Sequence, residues 1–176
     1  MKLTIGEATQ NDVAEILALR LAVGASMQER YGDDRWAPPI TEGSVRRLFK
    51  GPRTRKSDGA TLIKIIVGKS RGEIVALTRM QTKKPWAFDL KYFDCDAKAV
   101  YLGDVEVSPK CQGQGIGSQL MAAVIEHARA WPVDAVRTSA YDGTAGAGPF
   151  YAKCGFRKMG RVTYRKVPMI YFEMML

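Results

Sequence analysis

Hydrophobic and polar positions follow two periods along this chain, and together they predict eleven elements. Runs of β-prone residues predict seven strands, at residues 2–7, 62–67, 74–81, 101–107, 135–141, 156–163 and 169–174. Apolar residues at helical spacing predict four helices, at residues 12–23, 41–49, 120–128 and 150–154. The resulting order, β-α-α-β-β-β-α-β-α-β-β, is typical of an α/β or α+β fold with a mixed sheet.

Capping and turn residues define several of these boundaries. Thr9 or Asn11 can cap the first helix, and Thr41 can cap the second, with Ser44 three residues later. Glycines at both ends of residues 68–72 predict a hairpin between the second and third strands. Three segments lack a clear period, and we expect irregular structure there: residues 24–39, the polar loop 51–59 and the aromatic-rich stretch 83–98.

Length and composition predict one ordinary globular domain over residues 1–176. Hydrophobic residues make up 46% and charged residues 26%, with no signal-peptide pattern and no apolar run long enough for a membrane span. The cysteines, Cys95, Cys111 and Cys154, are few and scattered. They do not fit a disulfide framework or a zinc site, so we expect free thiols, no metal and a cytoplasmic location.

The net charge of +9 indicates a mildly basic surface. An anionic partner is one interpretation, and nucleic acid is one candidate for it. A nucleic-acid surface would gather basic residues on one face, often with interleaved aromatics. The densest basic cluster, residues 50–56, contains no aromatic residue and reads as a solvated loop. We therefore expect no nucleic-acid partner.

The segment 101–125 combines a strand, a glycine-rich loop and a helix. Pro109 ends the strand, and Gly113, Gly115 and Gly117 open the helix. The first N–H groups of a helix lack partners, and glycines let an anion approach the backbone. The spacing is neither that of a Walker loop nor that of a dinucleotide fingerprint. The loop is a candidate pyrophosphate site, and a tight turn without a ligand is the alternative.

Two motifs resemble those of the GNAT superfamily of N-acetyltransferases. Gln112-x-x-Gly115-x-Gly117 resembles the family's Q/R-x-x-G-x-G/A motif, and residues 144–156 are similar to its N-x-x-A-x-x-L-Y-x-x-x-G-F segment. The motifs stand in the family's order with one strand between them. The resemblance implies the GNAT fold, a mixed, mostly antiparallel sheet of about seven strands flanked by helices. It also implies acetyl-CoA as the co-substrate.

The same resemblance implies a set of residues that contact acetyl-CoA. The backbone of the strand before the loop would bind the pantetheine arm, the loop would bind the pyrophosphate, and the second motif would complete the site. These residues are Val105, Val107, Gln112, Gly113, Gln114, Gly115, Ile116, Gly117, Ser118, Thr144 and Tyr151. Thr144 stands where the family often has Asn, and Gln112 replaces the commoner Arg. Both contacts are expected to be weaker than usual, and the glycines at 146 and 148 to loosen the approach to the last helix.

Tyr151 matches the tyrosine with which the family protonates the leaving thiolate. An alkyl thiol has a pKa near ~8.5, by analogy with cysteine, so a proton donor helps it to leave at neutral pH. Tyr151 is therefore the candidate general acid. The alternative is a tyrosine that only packs against its neighbours.

The general base is harder to assign. Tyr101 and Gly103 occupy the positions where the family often has a base, and neither can serve. Asp104 and Glu106 alternate with them, so on a regular strand they face the other side, unless a β-bulge changes the parity. Glu106 is the candidate base that we carry forward. Glu173 and a chain of water molecules are the alternatives.

The resemblance implies an enzyme that transfers an acetyl group to a primary amine by direct attack in a ternary complex. A small-molecule acceptor with an apolar or aromatic body is expected, because several aromatic residues fall in segments that shape such pockets: Trp36, Trp86, Phe88, Tyr92, Tyr164 and Tyr171. An acetyltransferase acting on a protein amine and a non-catalytic acyl-CoA-binding module are the alternatives. A homodimer is plausible, as it is frequent in the family.

Overall fold

The computed structural model of the protein describes residues 2–32, 40–50, 62–93 and 96–176. In these ranges the helices are α1 Val13–Tyr31, α2 Glu42–Leu48, α3 Ile116–Arg129 and α4 Gly148–Lys153. The strands are β1 Thr4–Glu7, β2 Ile63–Ser70, β3 Glu73–Gln81, β4 Ala99–Val107, β5 Ala135–Tyr141, β6 Arg157–Tyr164 and β7 Val167–Met175. The predicted order of helices and strands is confirmed.

The strands form one mixed sheet in the order β1-β2-β3-β4-β5-β7-β6. Strands β4 and β5 are parallel, whereas β1 with β2, β5 with β7 and β6 with β7 are antiparallel. The predicted hairpin between β2 and β3 turns at Arg71 and Gly72, both at positive φ. A mixed, mostly antiparallel sheet flanked by helices is therefore confirmed.

The chain divides into two compact units, and the first comprises residues 1–79 and 104–123. Its core is aliphatic, and burying each such side chain contributes about 1.5–3 kcal/mol. The core residues are Ala8, Val13, Ile16, Leu19, Val45, Leu48, Phe49, Ile65, Val67, Ile74 and Leu77. They come from α1, α2, β2 and β3 and from the turn before α1, so these elements hold one another in place.

The second unit comprises residues 80–103 and 124–176, and its core is aromatic. Phe88, Phe93, Ala99, Tyr101, Ala135 and Tyr171 form this cluster. Beside it lies a fully buried ion pair, in which Nε of Arg137 donates to Oε1 of Glu173 at 2.8 Å. The Arg137 guanidinium also lies 4.6 Å from the centre of the Phe93 ring. Glu173, an alternative candidate base, is thus engaged in a buried structural pair.

The helix starts agree with the predictions better than the end of α1 does. Thr9 caps the 3₁₀ turn that leads into α1, and Thr41 and Ser44 form a reciprocal capping box at α2. Helix α1 continues to Tyr31 instead of ending at residue 23, so the prediction of irregular structure from Gly24 onward is wrong there.

The reason for the longer helix is that Gly24 costs only about 1 kcal/mol inside a helix, and the helix-forming residues after it extend α1. It ends at Gly32, which is left-handed and donates its N–H to the Gln28 carbonyl. The predicted loop 51–59 and Trp36 lie outside the described residues.

We expect Glu173→Gln to destabilise the protein by about 3–5 kcal/mol, because it leaves the buried Arg137 cation without its counter-charge. Urea unfolding followed by circular dichroism measures the loss. Glu126→Gln is the matched control, since Glu126 pairs with Arg129 on the exposed surface of α3. A loss no larger than that of the control would contradict a structural role for the buried pair.

Candidate active site

The glycine loop between β4 and α3 has an open backbone. The N–H of Ser108, just after β4, donates to the Val75 carbonyl, and a short 3₁₀ turn follows. Gly113 and Gly115 then adopt φ values of 75° and 77°, which side-chain-bearing residues rarely adopt. A Cβ at either glycine would meet no described atom within 4 Å. The loop therefore leaves room for a ligand to approach its backbone at the N-terminus of α3, which is the geometry of an anion site.

Two glutamines and one arginine brace this loop. Nε2 of Gln112 donates to the Val107 carbonyl at 3.2 Å, and Nε2 of Gln114 donates to the Lys110 carbonyl at 3.0 Å. Oε1 of Gln112 accepts a hydrogen bond from Arg30 of α1 at 3.0 Å. Arg30 thus brings to the loop the positive charge that Gln112 lacks, a contribution that the sequence analysis missed. Ile116 is buried and anchors the start of α3, whereas Ser118 is exposed and Gly117 lies in the first helical turn.

Strand β4 changes its character halfway along. Residues Ala99 to Tyr101 of β4 pair with β5. Further along the strand, Asp104 adopts a left-handed φ of 52°. This conformation interrupts the regular strand, as a bulge would. Val105 and Val107 follow the interruption and are half-buried. The second half of β4 thus has the irregular geometry that would give their backbone groups to a ligand.

Two carboxylates of β4 share one arginine. Nη2 of Arg20, on α1, lies 3.0 Å from Oδ1 of Asp104 and 3.2 Å from Oε1 of Glu106. Nε of Arg79 lies 3.7 Å from the second oxygen of Asp104. The Glu106 side chain is 15% exposed, and its Oε2 is buried with no hydrogen-bond partner among the described residues. A buried acceptor without a donor is costly, so Oε2 is poised to take a proton.

Burial raises the pKa of Glu106 from 4.5 to about 7. The Arg20 cation opposes this rise, and the negative charge of Asp104 adds to it. A carboxylate with a pKa near neutrality exists in both protonation states at working pH, which is the property of an effective general base. Glu106 therefore has the environment of a base.

The second unit contains Tyr151, on α4. The side chain is buried, with its ring 5.6 Å from that of Phe156 and 5.5 Å from that of Phe172, and its hydroxyl is hydrogen-bonded to the side chain of Thr138. Burial raises the pKa of Tyr151 to about 12, and the Thr138 hydrogen bond lowers it. The phenol therefore stays protonated at neutral pH and keeps the proton that a general acid would donate.

The segment before α4 is more constrained than the sequence predicts. Thr144 is exposed, as a ligand contact would need. Gly146, however, is tightly enclosed: a Cβ there would lie 1.9 Å from the Tyr141 carbonyl oxygen, and its N–H donates to Gly143. The expectation that this glycine loosens the approach to the helix is wrong, because it permits a close backbone contact.

A cavity of about 560 Å³ lies within the second unit. Tyr92, Tyr164 and Tyr171, three of the predicted pocket aromatics, contribute to its walls together with charged residues of both signs. Trp86 is 69% exposed and meets the Tyr164 ring edge-on at 4.7 Å, whereas Phe88 is buried in the aromatic core. The cavity has the size of a small-molecule site.

Two other kinds of site receive no support from the described residues. Burial raises the pKa of the Cys154 thiol, which disfavours a reactive thiolate, and Cys111 is buried. Within the described ranges, no group of three or more His, Cys, Asp or Glu residues is arranged to hold a metal ion. In the same ranges, no helix is both long and apolar enough to cross a membrane.

Comparison with known proteins identifies the family. The chain matches the Acetyltransferase (GNAT) family over residues 30–156, so it belongs to that family and is an acyltransferase. The family uses acetyl-CoA. No curated protein shows a significant match to the chain.

Several solved structures share the fold at low sequence identity. A ribosomal-protein-alanine N-acetyltransferase from Brucella melitensis is 20% identical, with a TM-score of 0.72 over 99% of this chain and 100% of that chain. An N-acetyltransferase from Staphylococcus aureus Mu50 is 18% identical, with a TM-score of 0.68 over 99% of both chains. An aminoglycoside acetyltransferase in complex with coenzyme A is also 18% identical, with a TM-score of 0.70 over 99% of this chain and 95% of that chain.

We expect the ionisation of Glu106 to lower the stability of the folded protein. The folded pKa of about 7 lies above the ordinary value of 4.5, so the stabilisation is fully present below pH 4.5 and is lost as the pH rises through 7. The loss amounts to roughly 3 kcal/mol. Urea unfolding at several pH values should show the parent losing this much relative to Glu106→Gln.

The control for this measurement is Glu42→Gln, which removes an exposed carboxylate paired with Arg46 on α2. The difference in unfolding free energy between this control and the parent should stay constant over the same pH range. A Glu106→Gln variant that also runs parallel to the parent would show that the carboxylate titrates at an ordinary pKa.

Proposed function

We propose that this enzyme transfers the acetyl group of acetyl-CoA to the primary amine of a small molecule, by direct attack in a ternary complex. The observation that carries the proposal is the largely buried carboxylate of Glu106, whose Oε2 has no hydrogen-bond partner among the described residues and whose pKa is raised to about 7. A non-catalytic acyl-CoA-binding module would not need such a group. That alternative predicts binding of acetyl-CoA without turnover of any amine.

The described loop fits acetyl-CoA. The pyrophosphate would lie against the N–H groups of residues 112–118, where Gly113 and Gly115 leave open space and Arg30 supplies positive charge. The backbone of Val105 and Val107 would pair with the pantetheine arm, and Thr144 would contribute a weaker hydrogen bond than the asparagine it replaces. The net charge of +9 favours this anionic co-substrate.

Two side chains would move the protons. Oε2 of Glu106 would accept one proton from the protonated acceptor amine, so that the nitrogen lone pair attacks the thioester carbonyl carbon. The new C–N bond forms as the C–S bond breaks, and the hydroxyl of Tyr151 would donate a proton to the departing sulfur. The nitrogen, which still carries two protons after the attack, loses one of them to solvent. Glu106 also releases its proton to solvent, and Tyr151 regains one from solvent, so the reaction releases one proton in total. The products are an N-acetyl amide and coenzyme A with a free thiol.

The cavity in the second unit supports a small acceptor, because it has the size of a small-molecule site and three tyrosines stand in its wall beside charged residues. Likeness of fold does not decide the acceptor: one similar structure is a ribosomal-protein-alanine N-acetyltransferase and another is an aminoglycoside acetyltransferase. A screen of small primary amines and short peptides, read by release of the coenzyme A thiol, tests the proposal. Turnover of peptides alone would favour the protein-amine alternative.

The proposal includes a cytoplasmic location and a homodimer. The scattered cysteines favour a reducing compartment, and homodimers are frequent among proteins with these motifs. Sedimentation velocity on the purified protein tests the assembly. A single species at the 19.5 kDa of one chain, at micromolar concentration, would contradict the dimer.

We expect Gly115→Val to abolish binding of acetyl-CoA, because the new side chain would fill the open space at the loop. Isothermal titration calorimetry with coenzyme A measures the loss. Gly72→Val is the matched control: Gly72 also has a positive φ and open space around it, but lies in the β2–β3 turn. Both variants carry similar backbone strain, so equal retention of affinity in the two folded variants would contradict the loop site.

We expect Tyr151→Phe to slow thiol release by roughly 10²–10⁴-fold, the usual effect of a positioned acid. Coenzyme A binding should change little, since the buried ring remains. Single-turnover thiol release at saturating acetyl-CoA, with an amine found in the screen, makes the measurement. The control is Tyr101→Phe, which removes a buried tyrosine hydroxyl that lies 3.4 Å from Nη1 of Arg137 and is not part of the cavity wall. A Tyr151→Phe rate within a few-fold of the parent would leave water as the proton source.

A further inference from the structure

Arg20 is the basic side chain through which α1 reaches the candidate base. It projects from the buried side of α1, its side chain is 11% exposed, and a single nitrogen, Nη2, contacts both carboxylates of β4. Arginine usually grips a carboxylate with two nitrogens, which would occupy both carboxylate oxygens. Here the contact of Arg20 with Glu106 involves only Oε1, and Oε2 remains without a partner among the described residues.

We propose that Arg20 is a positioning residue that holds Oε1 of Glu106 and leaves Oε2 free to accept the proton, while Asp104 limits this hold by sharing the same guanidinium nitrogen. The inference rests on the proposed role of Glu106 as the base. Arg20 does not touch the reacting atoms, and it acts through the orientation and charge of Glu106.

The contacts around Asp104 explain why the guanidinium is divided. Oδ1 of Asp104 accepts from Arg20 at 3.0 Å, a shorter distance than the 3.2 Å to Glu106, so Asp104 draws the arginine toward itself. Arg79 of β3 lies 3.7 Å from Oδ2 and fixes Asp104 on its other side. The charged groups facing Glu106 are thus Arg20 from α1 and Asp104 from its own strand, with Arg79 linked through Asp104. Glu106 receives only part of one positive charge.

Two substitutions should therefore shift the pKa of Glu106 in opposite directions. Arg20→Gln removes the cation that favours the carboxylate, so the pKa of Glu106 should rise. Asp104→Asn removes the competing anion and releases Arg20 toward Glu106, so the pKa should fall. Asparagine tolerates the left-handed conformation of Asp104, which keeps the backbone of β4 unchanged. Opposite shifts distinguish charge tuning from a general loss of packing, which would not change sign.

The experiment is a carbon-13 NMR titration of the Glu106 carboxyl in the protein without ligand, assigned by its absence in Glu106→Gln. Arg20→Gln and Asp104→Asn should move the titration midpoint by about one pH unit each, upward and downward. Arg20→Lys should raise the midpoint by less, because lysine keeps the positive charge but lacks the planar guanidinium group. Arg46→Gln, which removes an exposed helix arginine paired with a glutamate, should leave the midpoint unchanged.

The second measurement is the pH profile of kcat/KM with an amine acceptor. The pH at which kcat/KM rises should follow the NMR midpoint of each variant. At a pH below the rise in both the parent and Arg20→Gln, kcat/KM of Arg20→Gln should therefore be about tenfold lower. Equal midpoints in the parent, Arg20→Lys and Asp104→Asn would overturn the inference, even if Arg20→Gln does not fold. Shifted midpoints with an unmoved kinetic limb would also overturn it.

The base assignment itself can fail separately. If Glu106→Gln keeps full activity at every pH, Glu106 is not the base, and the positioning role of Arg20 falls with it. If Glu106→Gln is inactive while the Arg20 and Asp104 variants keep the parent's midpoint, the proposed function stands and only the inference fails.

Discussion

The division of one guanidinium between two carboxylates is the interaction on which the candidate site depends. Asp104 and Glu106 are two residues apart on β4, and both contact Nη2 of Arg20. Without that cation, the two half-buried negative charges would repel each other, and Arg79 would remain near Asp104 alone. Asp104 also holds a left-handed conformation, which costs about 1–2 kcal/mol for most residues and less for aspartate. The contact with α1 therefore stabilises both the charges and the irregular backbone of the strand.

Arg137 and Arg20 both contact largely buried carboxylates, but their charged neighbours differ. Arg137 faces the fully buried carboxylate of Glu173 at 2.8 Å, and the exposed Arg157 lies 3.8 Å from the second oxygen of that carboxylate. Arg20 faces two carboxylates, and burial, to which the negative charge of Asp104 adds, raises the pKa of Glu106 to about 7 against the opposing charge of Arg20. Perturbed carboxylates of this kind concentrate at functional sites.

The sequence predicts the parts of this structure that depend on nearby residues. Strand and helix order follows from local periodicity, and the reciprocal cap of Thr41 and Ser44 follows from two residues three apart. The Arg20 contact joins residues 84 apart in the chain, and no local pattern contains it. One signal was present: Arg20 falls on the apolar face of α1, where a charged residue needs a buried partner. The identity of that partner became visible only through the geometry of β4 beside α1.

Helix α1 carries two arginines that contact different parts of the first unit. Arg20 contacts the strand that carries Glu106, and Arg30, ten residues further along the same helix, donates to Gln112 of the glycine loop at 3.0 Å. The loop backbone provides N–H groups but no full charge, and Gln112 is neutral. Positive charge beside the glycine loop and beside Glu106 therefore comes from arginines of one helix, whose aliphatic face packs in the core through Val13, Ile16 and Leu19. Because a helix transmits displacement along its axis, packing changes in this core would alter the contacts of the glycine loop and the pKa of Glu106 together.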